Sequence, residues 1–427
     1  MTCVCRCGAS SLQRPIKASL LPTKMRFSCY LSPKWTYQLL VGSWMPPKSY
    51  VGKHLSDIPT PAFLVDKEKV VRNCQNMLKK CAELHVKLRP HVNTHKTEEA
   101  ALLQTGGQKK CITVSTFREA EFFADRGWDD ILVALPLAPF HLARVKTLAN
   151  RVSTFHLLVD NVDSAAALAQ LPTPPGKTAW SVFIKVDAGY ARAGVRWSDT
   201  HLAVRICEAL HPKVMLQGLY AYCGNTYNTN SPTDILAVRH RTAERILKLS
   251  KELVRKGFTC PTVSIGSTPS MSISISAEAR RMFMKLNEVH PGHYVFYDLQ
   301  QASLGCCSLD DVACRIMTRV IGHYPHRKQM LIDCGFTALT KQGLNANKIV
   351  SGYAVFEYHP HLKLIEMTQE VGKVEAVDDA LDVNRYPIGT VLFLYPYQAC
   401  AAAALHPVYY IHKDDVVQEE WRPVRGW

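Results

Sequence analysis

The sequence predicts a (β/α)₈ barrel followed by a mostly β C-terminal domain. From about residue 58 onward, short apolar, β-branched runs alternate with longer amphipathic stretches. Eight such strand-then-helix units fit into roughly 220 residues, the size expected of a barrel of this kind. After about residue 305 the texture changes to strand-like runs with few helices between them.

The elements follow in order. Phe63-Leu64-Val65 reads as a short strand, and 67–84 reads as a helix behind it. The barrel strands are expected at 86–92, 111–115, 130–134, 154–159, 181–187, 214–221, 262–266 and 285–289. The helix at 236–256 is clear, because Leu236, Ala237, Ala243, Ile246, Leu247 and Leu249 recur at helical spacing. A doubly wound open sheet is the main rival, but no GxGxxG follows the first strand. Arg315–Ile321, Gln329–Ile332, Lys363–Met367 and Thr390–Leu394 are the strand-like runs of the second part. The expected division is an N-terminal extension at 1–53, a barrel at 54–304 and a β-rich domain at 305–427.

With 427 residues, 47% of them hydrophobic, the chain can build one large core and a smaller one. No run of about 18 apolar residues is present, so no membrane helix is expected. The formal net charge of +15 is unevenly placed. Residues 1–53 hold no Asp or Glu, but they carry Arg6, Arg14, Lys17, Lys24, Arg26, Lys34, Lys48 and Lys53. The remainder is mildly basic, with no basic stripe interleaved with aromatics, so nucleic acid is not an expected partner. The extension reads either as a mitochondrial transit peptide or as a poorly structured leader. A cytoplasmic location is the first expectation and a mitochondrial one the alternative. The 15 cysteines are scattered, with no zinc-finger CxxC pair, which fits reduced thiols.

Active residues of such barrels sit at the C-terminal ends of the strands. Arg89-Pro90-His91-Val92-Asn93-Thr94-His95-Lys96-Thr97 follows the first strand. Lys96 there is either a solvated loop lysine or an amine in the barrel mouth, made nucleophilic by burial. Lys185-Val186-Asp187-Ala188-Gly189-Tyr190-Ala191-Arg192 follows the fifth strand, and Arg192 could reach an oxygen of a bound ligand. After the sixth strand, Tyr222 and Tyr227 either flank a planar ring or fill the core. Ser264-Ile265-Gly266-Ser267-Thr268-Pro269-Ser270 and His290-Pro291-Gly292-His293-Tyr294 follow the last two strands. Small residues and hydroxyls at that place make a cup for a phosphate.

These stretches resemble the D-serine dehydratase / D-threonine aldolase family, within the alanine racemase-like class of pyridoxal phosphate enzymes. DIPTPAFLVD, RPHVNTHKT, KVDAGYARAG, GLYAYCGNTY, VSIGSTPS, HPGHYVFYD and WRPVRGW carry the resemblance in collinear order over roughly residues 57–427. It implies a barrel of alanine racemase type with a β domain after it, and usually a homodimer. It implies that Lys96 holds pyridoxal 5'-phosphate as a Schiff base and acts as the general base. Arg192, Tyr222 and Tyr227 are expected near the ring, and Gly266, Ser267, Thr268, Gly292 and His293 around the phosphate. Where relatives place an Arg against the pyridine nitrogen, this chain has His290. Dehydratase members bind zinc through P-N-H-x-C; here the stretch is Pro396-Tyr397-Gln398-Ala399-Cys400, so Gln398 and Cys400 are the expected metal positions. An amide oxygen is a poor zinc ligand, which puts the metal in doubt. His406 lies close enough in sequence to be weighed as a substitute. Other family positions are also changed: Val371 stands within the usual EHG, and Ala191 and Tyr222 replace histidines. The implied reaction is the breakdown of a D-3-hydroxy amino acid, D-serine first, to pyruvate and ammonia. D-threonine cleavage, racemisation, or cofactor binding with little turnover are the alternatives.

Overall fold

The computed structural model describes residues 49–274, 276–344, 352–378 and 380–427. The basic extension, up to residue 48, lies outside the described residues.

All eight barrel strands form where the sequence places them. They are β2 (Lys87–Leu88), β3 (Ile112–Val114), β4 (Asp130–Pro136), β5 (Thr154–Val159), β6 (Trp180–Asp187), β8 (Val214–Tyr222), β9 (Thr262–Gly266) and β10 (Glu288–Val289). A two-residue strand, β7 (Val195–Arg196), lies beside β6 and has no counterpart in the sequence reading. The parallel strands run in the order β2-β10-β9-β8-β6-β5-β4-β3. The ring closes beyond β2, where Val92 N–H donates to the Thr113 carbonyl at 2.9 Å and Thr113 N–H to the Pro90 carbonyl at 2.9 Å.

Side-chain alternation along each strand divides the barrel into two environments. On β6, Val182, Ile184 and Val186 join the large apolar core that includes helix residues such as Leu168 and Ile206. Phe183 belongs instead to a small separate cluster with Leu132, Leu158 and Tyr220, which fills the barrel axis. Below it lies a charged plug: Arg89 donates to Glu288 at 2.9 Å and also to Asp130, and both Arg89 and Glu288 are buried. The helix predicted at 236–256 spans Pro232–Arg255; Ser231 caps its N-terminus and Pro232 occupies the first turn.

The second sheet is built from β11 (Cys314–Tyr324), β12 (Gln329–Ile332), β13 (Ala354–Phe356), β14 (Leu362–Met367), β15 (Gly372–Ala376), β16 (Val391–Pro396), β17 (Tyr409–Lys413) and β18 (Val416–Trp421). One correction to the expected division follows. β1 (Ala62–Asp66) is not part of the barrel; it pairs antiparallel with β11 and parallel with β17. Phe63, Leu64 and Val65 are each fully buried, so this strand needs cover on both faces and partners on both edges. Barrel and β domain share one compact unit, Tyr50–Trp427. Among the described residues, no helix is long and apolar enough to cross a membrane.

Candidate active site

A cavity of about 460 Å³ opens at the C-terminal ends of the barrel strands and extends to the first residues after β16. Arg192 and Lys185 line it, and no Asp or Glu is among its described lining residues. The site is therefore suited to an anion.

One wall is the cup after β9 and β10. Ser267 caps the short helix Thr268–Ser272: its hydroxyl accepts the Ser270 N–H at 3.2 Å, and the Ser270 hydroxyl accepts the Ser267 N–H at 3.1 Å. The Thr268 hydroxyl oxygen accepts N–H groups from His293 at 2.9 Å and Gly292 at 3.3 Å. That leaves the Thr268 hydroxyl proton free to donate to an anion. Lys80 and Arg239 hold the far end of the helix by donating to the carbonyls of Met271, Ser272 and Ser270. A Cβ on Gly292 would lie 2.1 Å from the His91 carbonyl oxygen, and one on Gly266 2.7 Å from the His290 nitrogen. Both glycines are demanded by backbone approach; Ser267, Thr268, Gly292 and His293 face the cavity, and Gly266 does not.

The second wall is aromatic. The Arg192 guanidinium lies 4.8 Å from the centre of the Tyr222 ring and 5.2 Å from that of Tyr190. Tyr227 stands beside them in the lining. Burial pushes the Tyr222 and Tyr227 phenols up, so both are neutral. On the floor, the Tyr220 and His290 rings stack at 3.8 Å and 13°. The His290 Nδ1 is 2.9 Å from the Ser264 hydroxyl. Burial holds His290 well below the usual imidazole range and takes His91 down to about 3. His91 Nδ1 and His290 Nε2 are both buried without a hydrogen-bond partner.

Lys96, the residue expected to hold the cofactor, is not part of this lining. Its backbone takes the left-handed conformation at φ +56°, and its N–H closes a tight turn onto the Val92 carbonyl at 2.9 Å. The turn carries the ammonium to the buried Glu119 carboxylate, 3.0 Å away. The Lys96 carbonyl accepts the Val424 N–H at 2.8 Å, so part of the closing WRPVRGW stretch clamps the loop. Asn93 and Thr94 face the cavity in its place. The amine that does line the cavity is Lys185, 4% exposed, with its nitrogen 4.6 Å from the centre of the Tyr220 ring. Burial, reinforced by Arg192, lowers its pKa to about 7. The sequence held a signal for this residue: Lys185 lies two positions after Phe183 and so shares its inward face.

The third wall comes from the β domain. The Gln398 side-chain oxygen accepts the Ala401 N–H at 2.6 Å and so caps the helix Ala399–Ala404. Cys400 Sγ lies 3.2 Å from the Thr94 hydroxyl and 3.6 Å from His293 Nδ1. His293 Nε2 in turn lies 2.6 Å from the fully buried Asp298 carboxylate. Burial opposes charge on His293, but Asp298 outweighs it and raises this imidazole well above its usual range. Burial also pushes the Cys400 thiol up, and the His293 charge more than reverses that. His293 is therefore tied through its side chain to Asp298 and Cys400, as well as through its backbone to the cup. The His406 side chain points elsewhere: its Nε2 is 2.9 Å from the Ala338 carbonyl oxygen. Among the described residues no group of three or more His, Cys, Asp or Glu side chains is placed to hold a metal ion. Cys400 and Gln398, the expected metal positions, both line the cavity.

A parallel barrel with an anion cup after its last strands, followed by a β domain that lines the same cavity, is the alanine racemase-like architecture. The chain belongs to that family: residues 65–300 match the model of the alanine racemase N-terminal domain, and residues 313–412 match a putative serine dehydratase domain. It is 30% identical to a D-serine dehydratase of Dictyostelium discoideum over 87% of this chain and 98% of that one. It is 33% identical to a D-threo-3-hydroxyaspartate dehydratase of Delftia sp. (strain HT23) over 87% of this chain and 99% of that one. The solved structure of the Delftia enzyme covers 88% of this chain and all of its own, with a TM-score of 0.81 and 32% identity. A D-threonine aldolase of Filomicrobium marinum shares the fold at a TM-score of 0.74 and 24% identity.

The family implies pyridoxal phosphate, and the cavity is a fair test of that. The cup suits a phosphate, the tyrosines suit a planar ring, and the unpartnered nitrogens of His91 and His290 leave polar contacts to be made. The amine end differs from expectation: Lys185, not Lys96, shares the cavity with the cup.

Proposed function

We propose that this cavity binds pyridoxal 5'-phosphate and that the chain works as a lyase on D-3-hydroxy amino acids, first of all D-serine, releasing pyruvate and ammonia. The observation that carries the reading is the Thr268 cup facing Arg192 and the tyrosines across a cavity of about 460 Å³ without a described acidic lining residue. Ser267, Thr268, Gly292 and His293 would hold the phosphate, and Tyr222, Tyr227 and Arg192 would border the ring. When bound, the cofactor supplies an electron sink for negative charge developing at the substrate Cα. The chain's own contribution is to hold that geometry, to offer Arg192 to oxygen atoms, and to keep His91, His290 and the phenols neutral. Near Cys400, the His293–Asp298 pair places a charged imidazole at the cavity edge, where a leaving hydroxyl would need a proton.

A second reading rests on two specific contacts: the Lys96 ammonium is bound to Glu119, and the Gln398 oxygen is used in a helix cap. In this reading the chain keeps the cofactor and has lost the elimination. One experiment separates the two. The protein is purified with pyridoxal phosphate and zinc, freed of excess, and examined for bound cofactor, zinc content and pyruvate formed from D-serine. Bound cofactor with pyruvate supports the lyase. Bound cofactor without turnover of any D-amino acid supports the binder. Protein that retains no cofactor defeats both. A homodimer and a cytoplasmic location are part of the same proposal by family resemblance; sedimentation and cell fractionation test them.

A further inference from the structure

We propose that Lys185 is the amine that reacts with a carbonyl ligand in this cavity, and that Lys96 is a structural residue. The inference rests on the cofactor reading above and concerns which side chain of this chain meets the aldehyde. Among the described lining residues Lys185 is the sole primary amine. Strand register places it. Lys185 pairs with Tyr220 and Tyr220 with Ser264, so one row of ladder partners runs from the lysine to β9. Gly266, which leads into the cup, is two residues further along β9, a rise of about 7 Å. Lys185 and the cup residues Ser267 and Thr268 line one cavity, so a ligand held in the cup would share that cavity with the amine.

The surroundings of Lys185 favour a neutral nucleophile. It lies above the Tyr220 face, and no carboxylate among the described residues forms an ion pair with it. Burial and Arg192 lower its pKa to about 7, while Asp160 and Asp187 reverse this only in part. A large fraction of the amine is unprotonated at neutral pH, as carbonyl addition requires. Lys96 has the opposite setting: its ammonium is bound to a buried carboxylate, and its backbone is held at both N–H and carbonyl. To reach the cavity it would have to leave Glu119 without that partner.

The step balances without a further reactant. The Lys185 nitrogen adds to the aldehyde carbon, the carbonyl oxygen leaves as water with both protons of the amine, and a C=N bond forms. Borohydride then delivers hydride to that carbon and fixes a secondary amine.

The test is to load the full chain with pyridoxal phosphate, remove the excess, reduce with borohydride, and map the pyridoxyl group by peptide mass spectrometry. Cofactor retention before reduction is measured separately by equilibrium dialysis. The expected result is a pyridoxyl group on Lys185, lost in Lys185→Arg and kept in Lys96→Ala. The rate of adduct formation should rise about tenfold from pH 6 to pH 8. A pyridoxyl group on Lys96 overturns the inference, and so does retained cofactor with no adduct. Failure to retain any cofactor overturns the inference together with the reading beneath it. Mapping on the unmodified chain keeps the answer independent of whether a variant folds.

Discussion

The two sides of the cavity are built by different means. On the cup side, hydroxyls and backbone N–H groups satisfy one another: Ser267 with Ser270, and Thr268 with Gly292 and His293. The binding surface is fixed by local turns and two close backbone approaches, so a single substitution there disturbs several contacts together. On the opposite side, each candidate reactive group depends on a distant partner. Cys400 depends on Thr94 and His293, and Lys96, just outside the lining, on Glu119 and Val424. A binding surface of the first kind can persist while groups of the second kind exchange roles.

That contrast can be broken at its strongest point first. Thr268→Val removes the oxygen that serves two buried N–H groups. The expected loss of stability is about 2–4 kcal/mol, with cofactor retention reduced by at least about tenfold. Urea unfolding and equilibrium dialysis would read both, and unchanged retention would remove the cup from the binding site. Lys96→Ala should have a smaller effect of another kind. It strips the buried Glu119 of its cation, at about 1–2 kcal/mol given the partial exposure of the lysine, and leaves cofactor retention within about twofold. A large loss of retention with little change in stability would return Lys96 to the site.

The smallest effect lies at the far end of the barrel and acts as a control. Burial, reinforced by Arg89, lowers His156 to about 3. The unfolded imidazole titrates near pH 6.5, so below that value the unfolded chain binds the extra proton. Stability therefore falls as pH drops through about 6.5 toward the folded value. One such group contributes roughly 0.7 kcal/mol of difference between pH 7 and pH 6. His156→Gln should remove that share of the slope and leave cofactor retention unchanged. An equal slope in both proteins would mean that His156 is not held neutral.

The barrel was legible in the sequence because its strands are short apolar runs separated by helix-length stretches. Thr154–Val159 and Thr262–Gly266 coincide with the expected bounds. β1 was found as a strand, but its sheet was not. An isolated apolar run carries no record of which edge it joins, and its partners lie some 250 and 350 residues away. Ser267, Thr268, Gly292 and His293 were legible from composition and position. Where Lys96 points was not legible, because residues past a strand end no longer alternate and the turn closed by Val92 and Lys96 carries its side chain to Glu119. Lys185 was inside a quoted stretch, and its parity with Phe183 was the unused clue. The link from His293 to Asp298 and Cys400 joins residues from the end of the barrel and the β domain, a juxtaposition that only tertiary structure creates.

The place of β1 bears on how the chain can be assembled. Its register partners are Cys314–Met317 on one side and Tyr409–His412 on the other. During synthesis this early strand must wait until almost the whole polypeptide has been made before both its edges are covered. A fragment that stops at residue 304 would contain every barrel strand and still leave a mostly apolar ribbon with two open edges, the kind of segment that seeks its own copies. The barrel is thus tied to the end of the chain by the strand that precedes it, and trimming the last twenty residues would remove all of β17 and β18 along with the clamp on Lys96.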